Sequence, residues 1–129
     1  MDIRDTKLYG KEFKQRVDND YFLLSSMVKV INKMRSMEDK QRFNQTRWMD
    51  SKVILDLIDV LKNDCGIDAV FQIGEYKLSQ TWIHPYLFLE AMRQSGLRIE
   101  VYKSLWEGDF FDIAMPLGNI PLMGEKHHE

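Results

Sequence analysis

Between Lys29 and Lys52 the chain carries seven bases, Lys29, Lys33, Arg35, Lys40, Arg42, Arg47 and Lys52, against three acids, Glu38, Asp39 and Asp50. Ammonium and guanidinium groups in this density do one kind of chemistry well: they donate charge-assisted hydrogen bonds to phosphate oxygens. Lys29 and Lys33 stand one helical turn apart and fall off the apolar stripe of their segment, so they point to solvent or to phosphate. The same run is equally consistent with a solvated basic face, and what separates the two readings is whether the fold gathers the cations. Residues 1–52 hold 12 Lys/Arg against 8 Asp/Glu, and residues 53–129 hold 6 against 12, so the formal net charge of −2 hides a split along the chain.

Other chemistry finds little to stand on. No Gly-rich phosphate loop follows a strand and no Ser or Cys sits in a nucleophile motif, so no catalytic residue is assigned and no enzyme is expected. Asp56, Asp59, Asp64 and Asp68 read as the wet side of a helix and its exit loop. Cys65, His84, His127 and His128 show no metal-ligand spacing, so neither a metal nor a cofactor is expected. His84 stands directly before a proline that suits a helix start, and its ring is expected to bond backbone groups there. Trp82 reads as a core anchor rather than a base-stacking residue, and the eight methionines as flexible core fillers.

The elements that must position these side chains follow from periodicity. Phe13, Gln15 and Val17 alternate with Lys14 and Arg16, and Asp18-Asn19-Asp20 supplies turn chemistry before Tyr21-Phe22-Leu23-Leu24, which predicts a β-hairpin. Ser25 or Ser26 then caps a helix with its apolar stripe at Met27, Val30, Ile31 and Met34. Glu38 to Met49 reads as a short polar helix anchored by Phe43 and Trp48. Ser51 caps a helix with Ile54, Leu57, Ile58 and Leu61 on one face and a glycine stop at Cys65-Gly66. Ala69–Ile73 and Tyr76–Gln80 flank Gly74-Glu75 as a second hairpin with a two-residue turn. Pro85 opens a helix through Gln94 that is apolar nearly all round, ended by Ser95-Gly96. Beyond it, Leu97 to Trp106 suits strand or helix, and Phe110 to Met123 reads as an irregular apolar strap.

A length of 129 residues with 44% hydrophobic and 29% charged composition predicts one globular domain, residues 1–108, with the strap at 109–129 packed on it. A single cysteine cannot form an internal disulfide, which points to a reducing compartment. No apolar run approaches the ~20 residues that span a bilayer, and MDIRDTK is too polar for a signal peptide. A cytoplasmic protein without a membrane partner is the expectation.

One stretch has a recognisable spelling. Thr81-Trp82-Ile83-His84-Pro85 followed by an aliphatic helix resembles the Thr-Trp-Val-His-Pro core of KilA-N domains, the DNA-binding modules of large DNA viruses and bacteriophages. The likeness extends from about Phe13 to Trp106. Asp20 to Met27 stands where the family has an Asp-Gly-Tyr-Ile-Asn-Ala-Thr type of sequence, with Leu23 in place of the Asn, Leu24 of the Ala and Ser25 of the Thr. Trp48-Met49 resembles the family's Trp-Leu step into its next helix. The family's Gly before Thr-Trp is Gln80 here.

The resemblance implies an α+β fold with a helical core and two small hairpins, one acting as a wing, similar to the DNA-binding domain of fungal APSES transcription factors. It implies that the helix near Lys40–Lys52 and the wing Phe71–Gln80 face duplex DNA. Gln72 and Lys77 would sit on that wing, and Lys29, Lys33 and Arg35 would clamp the backbone. Base edges need side chains such as Arg47, Asn44 or Gln45, while Lys40, Arg42 and Lys52 complete the DNA-facing set. The function so implied is a phage or viral DNA-binding protein that regulates transcription or occupies host DNA in the host cytoplasm. The alternative, from a different class, is a phage-encoded protein-interaction module, a host-protein inhibitor or adaptor, that keeps the fold without the DNA. The apolar strap also suits a homodimer.

Overall fold

The structure, a computed structural model, describes residues 2–8, 11–74 and 79–96. Lys77, His127, His128, the segment Leu97–Trp106 and the strap at 109–129 lie outside the described residues. The chain forms an α+β fold. Its elements in order are β1 (Ile3–Leu8), β2 (Lys11–Arg16), β3 (Phe22–Leu23), α1 (Leu24–Met37), α2 (Gln45–Met49), α3 (Lys52–Cys65), β4 (Val70–Ile73), β5 (Gln80–Ile83) and α4 (Pro85–Gln94).

The expected two small hairpins are parts of one five-stranded sheet in the order β1-β2-β3-β5-β4, with every neighbouring pair antiparallel. The joint is β3, where Phe22 pairs with Ile83 and Leu23 with Trp82. The first hairpin has the turn the sequence predicts: Arg16 N–H donates to the Tyr21 carbonyl at 2.8 Å, and Asp20 takes a left-handed φ of 66°. Asp20 tolerates that conformation better than most residues do. Val17, counted above in the buried alternation, belongs to this turn and is exposed.

β1 has no counterpart in the sequence reading. Its inward positions include Arg4 and Thr6, which hydrogen-bond the Gln15 carbonyl oxygen Oε1 at 2.9 and 2.6 Å. Gln15 in turn donates to the Asp20 carbonyl at 2.7 Å, and Arg4 reaches the Asp20 carboxylate at 3.2 Å. This end of the sheet is closed by a buried polar network in which Asp20 Oδ2 alone lacks a hydrogen-bond partner, where an apolar alternation would have announced a strand. Burial pushes the Asp20 carboxyl upward, against the pull of the Arg4 guanidinium.

α1 lays Leu24, Met27 and Ile31 on the sheet, over β2, β3 and β5. Neither Ser25 nor Ser26 caps it. Leu23 stands at the N-cap without a side-chain bond, and Ser26 Oγ instead accepts the Lys14 N–H at 3.0 Å. The serine serves the adjoining strand because β3 passes into α1 without a loop. α1 ends in a Schellman turn: Lys40 N–H donates to Arg35 O at 2.8 Å and Asp39 N–H to Ser36 O at 3.1 Å, with Asp39 left-handed at φ 57°. This reversal confines the expected helix of residues 38–49 to Gln45–Met49, although Phe43 and Trp48 are both buried and their rings lie 5.9 Å apart.

α3 follows the predicted stripe, with Ile54 and Leu61 fully buried and Gly66 left-handed at its end. The second hairpin exists with a different register. Ile73 pairs with Gln80 rather than with Tyr76, so β5 is Gln80–Ile83.

β5 runs straight into α4. His84 N–H donates to Ala69 O at 2.8 Å, and its Nδ1 accepts the Tyr86 N–H at 3.0 Å, so the imidazole caps the helix that Pro85 opens. This is the role the sequence predicts. The ring is 1% exposed, and burial lowers its pKa to about 4. Phe88 carries α4 onto the sheet, stacked on Phe22 at 4.0 Å between ring centroids and meeting Phe13 edge-on at 4.9 Å. Trp82 is fully buried. It shares the other face of the sheet with its cross-strand neighbours Leu23 and Phe71, where the Arg16 guanidinium lies over Phe71 at 4.9 Å.

Candidate nucleic-acid interface

Ser25, Lys29, Asn32 and Lys33 recur along α1 at three- and four-residue spacing, which sets them on one face, turned away from the buried Met27 and Ile31. The chain after α1 folds back along that face. Asn32 Oδ1 accepts the Phe43 N–H at 2.6 Å, and Arg35 Nε donates to the Gln41 carbonyl at 2.5 Å. With Phe43 seated beside Trp48, these two tethers place Arg42 and Gln45 opposite the helix. An open cleft of about 460 Å³ results, lined by Ser25, Val28, Lys29, Asn32, Lys33, Arg42 and Gln45.

The electrostatics of the cleft are one-sided. Three cations line it and no carboxylate does. Lys29, Lys33 and Arg42 are exposed, and among the described residues none of them has an ion-pair partner. In so polar a site the Asn32 amide nitrogen is buried and has no hydrogen-bond partner.

The other predicted site residues among the described ones are distributed elsewhere. Arg35 Nη1 donates to the Ser95 carbonyl and Lys40 Nζ to the Gly96 carbonyl, so both cations hold the C-terminal end of α4. Lys40 also lies 3.6 Å from Glu38. Asn44 caps α2, its Oδ1 accepting the Arg47 N–H at 2.8 Å. The Arg47 side chain is exposed on α2, and its guanidinium has no partner among the described residues. Lys52 pairs with Asp56 one turn along α3 at 2.8 Å, and Gln72 on β4 donates to Thr81 Oγ1 at 3.3 Å across the strands. Four of the ten predicted residues that the structure describes, Lys29, Lys33, Arg42 and Gln45, therefore share one site.

Sequence reasoning missed Val28 and Asn32 and read Ser25 only as a cap. The signal for Asn32 was its place between Lys29 and Lys33 on the helix, one residue from the charged row. Nothing local announced that it would bond a backbone amide 11 residues away.

No protein-family model, curated protein or solved structure matches the chain. Among the described residues no helix is long and apolar enough to cross a membrane, and no three His, Cys, Asp or Glu residues are grouped to hold a metal ion.

Proposed function

We propose that the chain is a DNA-binding protein of the phage or viral kind that its Thr81–Pro85 junction resembles, and that the cleft between α1 and the 40–45 segment is where it grips the phosphate backbone. The observation that carries this reading is the convergence of Lys29 and Lys33 on α1 with Arg42 from the loop that follows it, around one concavity with no acid in its lining. Cations held near one another with no internal counter-charge raise the local potential even where the net charge is −2. Phosphates held by these cations fix the register, and Gln45 in the cleft lining, with the exposed Arg47 on the same short helix, supplies side chains for a base edge. Regulation of transcription or occupation of host DNA is the role such binding serves.

Fluorescence anisotropy of a labelled mixed-sequence duplex across a salt series tests the proposal. Three phosphate contacts give a slope of log K against log salt of about −3. Absence of binding at low salt rejects it and leaves the protein-interaction module.

A further inference from the structure

We infer that the cleft is also a pocket for a compact polyphosphate, the diphosphate group carried by a nucleotide or free as pyrophosphate, and that this ligand excludes DNA. The pocket half stands on the cavity itself; the competitive half rests on the DNA reading above.

Shape is the first argument. Small-molecule sites are concave and enclose roughly 300–1,000 Å³, and at about 460 Å³ the cleft falls within that range. A duplex presents its phosphates on a convex surface, so it meets the exposed cations at the sides of the cleft and leaves the interior unfilled. A free or terminal phosphate group is small enough to enter.

Charge is the second argument. Three unpaired cations surround the space. A backbone diester brings about one negative charge, whereas a terminal phosphate brings about −1.5 to −2 near neutral pH, so a diphosphate matches three cations within a single ligand.

The third argument is the half-buried wall. Asn32 is fixed by the bond its Oδ1 accepts from Phe43 N–H, and its Nδ2 is a buried donor with no acceptor in the protein. Ser25 adds a hydroxyl to the same cavity. The exposed Ser25 hydroxyl is the neutral donor beside the cations that a phosphate oxygen can reach, and Asn32, held by Phe43, fixes the wall behind it.

The test uses the full chain at low ionic strength, titrated with pyrophosphate and separately with ADP by isothermal calorimetry. Saturable one-to-one binding is expected, weakened at least tenfold in the Lys33→Gln/Arg42→Gln double variant and unchanged in Lys52→Gln, with circular dichroism verifying that each variant is folded. Equal affinities for pyrophosphate and ADP assign the site to the polyphosphate alone; tenfold tighter ADP assigns it to a nucleotide. No saturable binding, or an equal loss in Lys52→Gln, overturns the pocket. Competition in the anisotropy assay separates the two halves. DNA binding without pyrophosphate binding refutes this inference and spares the DNA reading, and pyrophosphate binding without DNA binding refutes the DNA reading and its competition while the pocket stands. Pyrophosphate that binds without displacing DNA overturns the exclusion.

Discussion

Asn32 Oδ1 accepts the backbone N–H of Phe43 at 2.6 Å, joining the middle of α1 to a loop that would otherwise leave the helix at its C-terminal turn. Arg42 faces the lysines of α1 because of this bond. Removing the acceptor strands a part-buried amide, which costs about 1–3 kcal/mol. Asn32→Ala should therefore lose about that much in urea denaturation and should weaken DNA binding as well. Asn32→Asp keeps the acceptor and adds a negative charge to the cleft, so it should retain more of the stability while binding DNA less than Asn32→Ala does.

Salt dependence divides the basic residues by role. Lys29→Gln, Lys33→Gln and Arg42→Gln should each flatten the slope of log K against log salt by about 0.9, the signature of one lost phosphate contact. Lys52, already paired with Asp56, should change the slope little when replaced by Gln. A uniform effect of all four replacements would mean that no localised site exists.

Arg35 and Lys40 separate structure from binding. Both donate to carbonyls at the end of α4, where a cation also opposes the negative end of the helix dipole. Arg35→Gln should lower stability by about 1–2 kcal/mol, since hydrogen bonds to charged groups are worth more than neutral ones. The DNA salt slope should stay at the wild-type value, and a flatter slope would return Arg35 to the interface.

His84 gives the fold a pH dependence with a definite sign. Its pKa falls from an ordinary 6.5 to about 4 on burial, so the unfolded chain binds the proton more tightly. Stability is present in full above about pH 6.5 and declines as pH falls toward 4, by an amount on the order of 3 kcal/mol across the window. Carboxylates titrate in part of the same range, so the diagnostic is a difference. His84→Asn retains a capping acceptor and loses the titration, and its melting temperature between pH 7 and 4.5 should vary less than that of the wild type.

Asp39 holds the left-handed position of the Schellman turn without the freedom of glycine. Asp39→Gly should raise stability by about 1 kcal/mol, measured by thermal melting, and should leave the cleft in place.

How much of this was legible depended on whether a segment's signal was local. α3 could be read from Ile54 and Leu61 with Gly66 behind them, and α4 from Pro85, because burial stripe, cap and stop all lie within the element. β1 could not be, because its inward face carries Arg4 and Thr6 and makes sense only with Gln15 and Asp20 in place. The second hairpin misled for a related reason: Gly74 carries the positive φ of a turn, at 90°, but the cross-strand partner of Ile73 is chosen by β5's pairing with β3. The cleft was half legible. Lys29 and Lys33 disclose their shared face by spacing, while the arrival of Arg42 depends on tethers from Asn32 and Arg35 that no periodicity encodes.

β5 is hydrogen-bonded on both flanks, to β3 on one side and to β4 on the other. A hairpin sharing a strand with the main sheet is a buttress rather than a swinging arm: its root cannot pivot unless Leu23 parts from Trp82. A partner that docks against Val70–Ile73 and Gln80–Ile83 meets strands whose pitch the sheet has already set.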